Sequence, residues 1–316
     1  MILKTKKSLK IIIPLLFGGG LIWYLFTIIP PKTLLEYFKN ANYWWISLGL
    51  FFGILSHLSR AYRWKFMLEP MGYTPRFINS ALAVLIGYFV NLAIPRAGEV
   101  SRASVMANYE NIPFEKGFGT IVAERIADLI MMFLIIGVTL LIQFDFILQL
   151  VKEKLDPVKI IIGLAVCLIS GFFFYKYVRK STKGVGLKIK NFIKSLVEGV
   201  TSIFRMKNKW PFIFHTVFIW AMYVLMFWAT IPAIEGLQVP FGGILVGFIA
   251  GGFSIAATNG GIGLYPLAVA GAFTLFGVPE EPSTAFGSVM WAAQTAMVIL
   301  FGGLSFLLLP ICNKAK

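Results

Sequence analysis

Acidic residues are scarce in this chain: 14 Asp and Glu stand against 29 Lys and Arg in 316 residues, and charged residues make up only 14%. With 58% hydrophobic residues and a mean hydropathy of +0.80, that shortage excludes an ordinary soluble domain and leaves a polytopic membrane protein. The only two cysteines, Cys167 and Cys312, lie far apart in apolar runs, which excludes a disulfide framework. The two histidines, His57 and His215, have no Cys or acidic ligand spacing around them, so no metal site is expected. Ser-His-Asp and Asp-x-Asp arrangements are missing as well, so the expectation is a protein without catalytic residues, metal or cofactor. No linker is long enough for a second domain, so residues 1–316 read as one transmembrane domain with repeats 1–150 and 151–316.

What the chain does have is long apolar runs. Six are long enough to cross a bilayer, at about residues 9–29, 44–68, 118–143, 158–178, 211–231 and 285–309. The first follows Lys4, Lys6, Lys7 and Lys10 but meets Pro30-Pro31 instead of an A-x-A-like cleavage site, so it reads as a retained helix. Two further apolar segments are interrupted in the same way. Residues 77–108 break at Asn91-Leu92-Ala93-Ile94-Pro95-Arg96-Ala97-Gly98-Glu99, and residues 241–276 break at Thr258-Asn259-Gly260-Gly261-Ile262-Gly263-Leu264-Tyr265-Pro266. Each half is shorter than the roughly 20 residues that a span needs, and irregular backbone at membrane depth is tolerated only where it is buried in protein or lines a cavity. The fold class expected is therefore an all-α polytopic membrane protein: six full spans plus two re-entrant helical hairpins. Each half crosses three times, which inverts the second half relative to the first and points to a binding site between the hairpin tips.

Charge placement gives the same topology. Residues 176–209 hold ten basic side chains and the single acid Glu198, and with an inside N-terminus the segments 69–76 and 109–117 and the tail also fall on the cytoplasmic side. The segments 30–43, 144–157, 232–240 and 277–284 fall outside and carry few lysines. The basic loop has two readings, a topology signal or attraction to anionic lipid headgroups; no nucleic-acid module accompanies it. Trp23, Trp44, Trp45, Trp64 and Trp210 read as an interfacial belt.

Ionisable groups inside a bilayer are costly, so each needs a partner or a use. Arg96, Glu99 and Arg102 share one helical face if the segment after Pro95 is helical, and the N-terminus of that half-helix offers N–H groups and a positive dipole end to a phosphate. Glu124 and Asp128, four apart, require a cation between them, supplied by Arg96 or Arg102; Arg125 lies beside them. Two readings are open, a structural ion-pair network or a headgroup site that also includes Asn91 and Arg60. At the second break, Asn259, Gly260, Gly261 and Gly263 form either a nest of backbone donors or a glycine seam for close helix packing. Gln294 is a candidate lining residue. His57, three residues before Arg60, is read as a hydrogen-bonded histidine or a proton carrier, and His215 as interfacial.

Arg60-Ala61-Tyr62-Arg63-Trp64, Asn91-x3-Pro95-Arg96-x-Gly98-Glu99-x2-Arg102, Glu124-Arg125-x2-Asp128 and Gly260-Gly261-x-Gly263 together resemble the membrane region of lysylphosphatidylglycerol synthase, the flippase-like domain family. The resemblance covers nearly the whole chain. It implies lipid translocation in a bacterial inner membrane with both termini cytoplasmic. It implies no lysyl transfer, because no soluble aminoacyltransferase domain follows before Lys316. Anionic lipid headgroups are the expected partners, with a second copy of the chain or a lipid-modifying enzyme as further ones. A non-transporting scaffold and a lysyltransferase-type lipid enzyme are the alternatives.

Overall fold

The computed structural model describes residues 19–146, 148–149, 157–181, 186–187, 190, 207–258 and 260–313. The described elements are helical: α1 (Gly19–Ile28), α2 (Pro31–Asn40), α3 (Tyr43–Leu68), α4 (Phe77–Ala93), α5 (Ala97–Glu110), α6 (Phe114–Ile142), α7 (Pro157–Lys180), α8 (Lys209–Thr230), α9 (Phe241–Ala257), α10 (Leu264–Thr274) and α11 (Glu280–Ile311). Among the described residues, three helices are long and apolar enough to cross a membrane: α6, α8 with the 3-10 turn that follows it, and α11. α3 has the length, with 26 residues, but carries His57, Arg60, Arg63 and Lys65. The chain divides into two compact units, residues 1–122 with 210–316, and residues 123–209, the division falling within α6.

The two breaks in the sequence become two helix–turn–helix hairpins within the first unit. α4 stops at Ala93 because Pro95 disfavours a helical conformation at the residue before it, and Ile94 is extended (φ −132°, ψ 108°). Arg96 then adopts a left-handed conformation (φ 63°) and turns the chain into α5. α4 and α5 pack closely along Gly87 and Gly98. A Cβ at Gly98 would lie 2.0 Å from the Gly87 carbonyl oxygen, and one at Gly87 would lie 2.6 Å from Arg102 Cγ. The second hairpin turns on Gly260, Gly261 and Gly263, all with positive φ (69°, 83° and 70°), a conformation available to glycine at little cost. α11 backs both hairpins, against α4 on one and α10 on the other. It approaches them at two glycines: a Cβ at Gly302 would lie 2.8 Å from the Leu85 carbonyl oxygen, and one at Gly287 would lie 2.7 Å from Pro266 Cα.

α2 was not expected, since residues 30–43 read as an external loop. Pro31 supplies a preset φ at the first helical position, and Thr33, Leu34, Tyr37 and Phe38 turn inward while Lys32, Glu36 and Lys39 stay exposed. Tyr37 donates to Glu281 Oε1 at 3.1 Å and so ties α2 to the start of α11. Burial, then the Glu281 carboxylate, pushes the Tyr37 hydroxyl above its ordinary pKa. Trp64 also departs from expectation. It is fully buried and not part of a belt, because its indole N–H donates to Thr120 Oγ1 at 2.8 Å and its ring lies under a guanidinium. Trp23, Trp44 and Trp210 are exposed, and Trp45 is half-buried.

Candidate functional site

The tip of the first hairpin is held by one asparagine. Asn91, in the last turn of α4, accepts a hydrogen bond from the Gly98 backbone N–H at 2.7 Å, and its amide donates to Glu99 Oε2 at 3.5 Å. The Ala97 N–H donates to the Ile94 carbonyl at 3.1 Å. Two of the first N–H groups of α5 are thus already used inside the hairpin, in contrast to the open helix terminus expected from the sequence. What the tip offers outward is the exposed run Ala93-Ile94-Pro95-Arg96, with Arg96 its charged member. Replacing Asn91 by Ala should cost about 1 kcal/mol, as expected for a lost helix-cap acceptor. A lowered unfolding midpoint in detergent checks this.

Arg96, Glu99 and Arg102 do not share one environment. α5 begins at Ala97, which leaves Arg96 outside the helix and exposed, while Glu99 is half-buried and Arg102 is only 3% exposed. The Arg102 guanidinium lies 4.5 Å from the centre of the Trp64 ring. Its stem crosses Gly87, so Arg102 joins α5 to α3 and α4. Arg60 is also buried, with Nη2 3.5 Å from the Tyr223 hydroxyl.

The tips of the two hairpins meet. A Cβ placed on Gly260 would lie 3.3 Å from Leu92 Cδ2. The second tip is pinned from α11: Trp291 Nε1 donates to the Gly260 carbonyl at 2.8 Å, and Gln294 Nε2 donates to the Tyr265 hydroxyl at 3.3 Å. Asn259 lies outside the described residues. Trp64, near the end of α3, and Trp291, inside α11, escape a sequence reading, since a tryptophan carries no mark of the carbonyl or guanidinium it will meet.

In the second unit, Glu124 is fully buried and Asp128 nearly so. Arg125, from the same helix, supplies a cation to both, 3.9 Å from Glu124 Oε1 and 3.4 Å from Asp128 Oδ2. Among the described residues, no group of three His, Cys, Asp or Glu side chains is arranged to hold a metal ion.

The described elements, helical throughout, with three membrane-length helices, two hairpins meeting at their tips and buried arginines, are those of a membrane protein. The lysylphosphatidylglycerol synthase TM region matches residues 11–302, and the chain belongs to that family. The chain is similar to the UPF0104 membrane protein MJ1595 of Methanocaldococcus jannaschii, 32% identical over 39% of this chain and 37% of that protein. It is also similar to the glycosyltransferase AglD of Haloferax volcanii, 28% identical over 35% of this chain and 18% of that protein. The matched region is thus well under half the length of either relative. No solved structure matches.

Proposed function

We propose that the protein moves a lipid with an anionic headgroup between the leaflets of a cytoplasmic membrane. The contact of Leu92 with Gly260, beside an exposed Arg96, carries this reading. Hairpins that enter from opposite faces and touch at their tips divide the membrane into two access routes, as in transporters built from inverted repeats. In this reading the six apolar runs span the bilayer with both termini cytoplasmic, and each hairpin is re-entrant. Arg96 receives the phosphate with its planar fork of donors, and Glu99, half-buried behind the tip, orients it. Arg102 and Arg60 hold the frame around the first hairpin, and the Glu124-Arg125-Asp128 group braces its own unit. No covalent step is required of the protein. Membership of a lipid-synthase membrane family supports a lipid as cargo.

The test is leaflet exchange of fluorescent phosphatidylglycerol and phosphatidylcholine in proteoliposomes, read with an impermeant quencher. Exchange of the anionic lipid should be lost in Arg96→Ala and reduced in Glu99→Gln. Arg96→Gly is the control for folding, because glycine occupies the left-handed turn without the strain, on the order of 1–3 kcal/mol, of a residue with a Cβ. It should fold at least as well as wild type and still transport nothing. Normal exchange in both Arg96 variants would refute the assignment. Absence of exchange in wild type across lipid classes would favour the scaffold reading, with Lys183, Lys188 and Lys190 as the next residues to neutralise; Lys183 and Lys188 lie outside the described residues.

A further inference from the structure

A second polar cluster lies between α3, α4 and α8, and the frame described above does not account for it. Its centre is Tyr223 of α8. The Tyr223 hydroxyl is 3.2 Å from the Tyr88 hydroxyl of α4 and 3.5 Å from Arg60 Nη2 of α3. His57 of α3 lies with its ring centre 4.4 Å from that of Tyr88 and 6.1 Å from that of Tyr223. The Trp220 ring, one turn earlier on α8, stands edge-on to Tyr223 with ring centres 6.1 Å apart.

Two ring nitrogens in this cluster are unaccounted for. His57 and Trp220 are each only 7% exposed, and among the described residues nothing hydrogen-bonds to His57 Nδ1 or to Trp220 Nε1. A buried polar atom left unsatisfied is costly and therefore rare, and its usual explanation is a water or ligand group. Both rings stand against one tyrosine, with centres 6.1 Å from that of Tyr223, and a polar occupant beside that tyrosine would answer both. The indole N–H can only donate, imidazole nitrogens donate or accept, and the two phenols do either. An apolar occupant would leave both nitrogens unsatisfied, whereas a neutral group that both accepts and donates suits them all. Tyr88 and Tyr223 are half-buried, so they form the open edge past which an occupant enters.

We propose that His57, Tyr88, Trp220 and Tyr223 form a subsite for a hydroxyl group, contributed by the headgroup of the lipid that the protein moves. The proposal rests on the translocation reading for the source of the hydroxyl. An ordered water offers the same chemistry, and the experiment separates the two. The full chain, purified in detergent, is presented with equal amounts of phosphatidylglycerol and phosphatidylethanol of matched acyl chains, and the bound lipids are counted by native mass spectrometry. Both lipids are singly charged phosphodiesters, and only the first bears headgroup hydroxyls.

Wild type should retain phosphatidylglycerol about fivefold over phosphatidylethanol, the net effect of one neutral hydrogen bond. Trp220→Phe and His57→Phe keep a ring in place and remove the nitrogens; a ratio falling towards one in either supports the subsite. Tyr223→Phe, which removes only the central hydroxyl, gives a third reading if either of the first two fails to fold. A ratio near one in wild type, or a preference that survives in every folded variant, overturns the proposal and leaves an ordered water at the nitrogens. Leaflet exchange of the same two lipids keeps the readings apart. A chain that binds selectively but moves neither lipid retains the subsite and loses the translocation reading. One that moves both equally and binds both equally does the reverse.

Discussion

Gly98→Ala should be among the most damaging single substitutions in the molecule. The added Cβ would lie 2.0 Å from the Gly87 carbonyl oxygen and 2.7 Å from the Asn91 amide, and neither neighbour can yield cheaply. The carbonyl belongs to the backbone of α4, and the amide is the group that accepts from the Gly98 N–H. Relief therefore requires α4 and α5 to separate, which exposes the seam they share and withdraws Arg102 from Trp64. Overpacking of a well-fitted interior costs about 1–3 kcal/mol and occasionally more, and this site belongs at the upper end. The measurement is thermal unfolding in detergent, with Gly271→Ala in α10 as comparison, because a Cβ there meets nothing within 4 Å. Equal midpoints for the two variants would show that the hairpin is not packed as described.

Arg102→Met should come next, and for a different reason. Methionine fills most of the space of the arginine stem along Gly87, so the loss falls on the guanidinium, its place over the buried Trp64 ring included. A desolvated cation over tryptophan contributes about 2 kcal/mol or more. Arg102→Lys should recover only part of it, because an ammonium does not reproduce the planar stacking of a guanidinium. The unfolding midpoints should run wild type, then Lys, then Met. A methionine variant as stable as wild type would show that the stacking contributes nothing. The contrast with Arg96 is informative: two arginines six residues apart differ in that one is buried against Trp64 and the other is exposed at the tip, so on the proposed function one class of variant should fail by unfolding and the other while folded.

The breaks were legible because proline and glycine act locally. Pro95 disfavours a helical Ile94 through a local clash, and the glycines of residues 260–263 permit a turn that few other residues accept. The apolar runs were legible because hydropathy over some twenty residues sums many weak signals, and the helices fall close to where those runs lie. α2 was not, since ten residues containing two lysines and a glutamate give no apolar run, and only the packing of Leu34, Tyr37 and Phe38 shows which face matters. The spacing of Arg96, Glu99 and Arg102 suggested a shared face, but that inference required the helix to start one residue earlier than the left-handed Arg96 allows. The role of Trp64 and the unsatisfied nitrogens of His57 and Trp220 depend on residues far away in the chain, which periodicity does not register.

The position of α11 also constrains the order in which the chain is assembled during translation. The first hairpin is local: α4 and α5 are neighbours in sequence, and the Gly87–Gly98 seam needs nothing synthesised after it. Its outer face has a long wait, because the Leu85 and Phe89 region of α4 is covered by Gly302 in the last described helix. At about 5–20 residues per second, the ribosome takes roughly ten seconds or more to supply that partner. Throughout that interval the nascent hairpin presents a bare face to lipid or to an insertion factor. The element formed early is thus among the last to be seated, and a ribosome stalled before α11 should leave the first hairpin folded on itself but open to proteolysis.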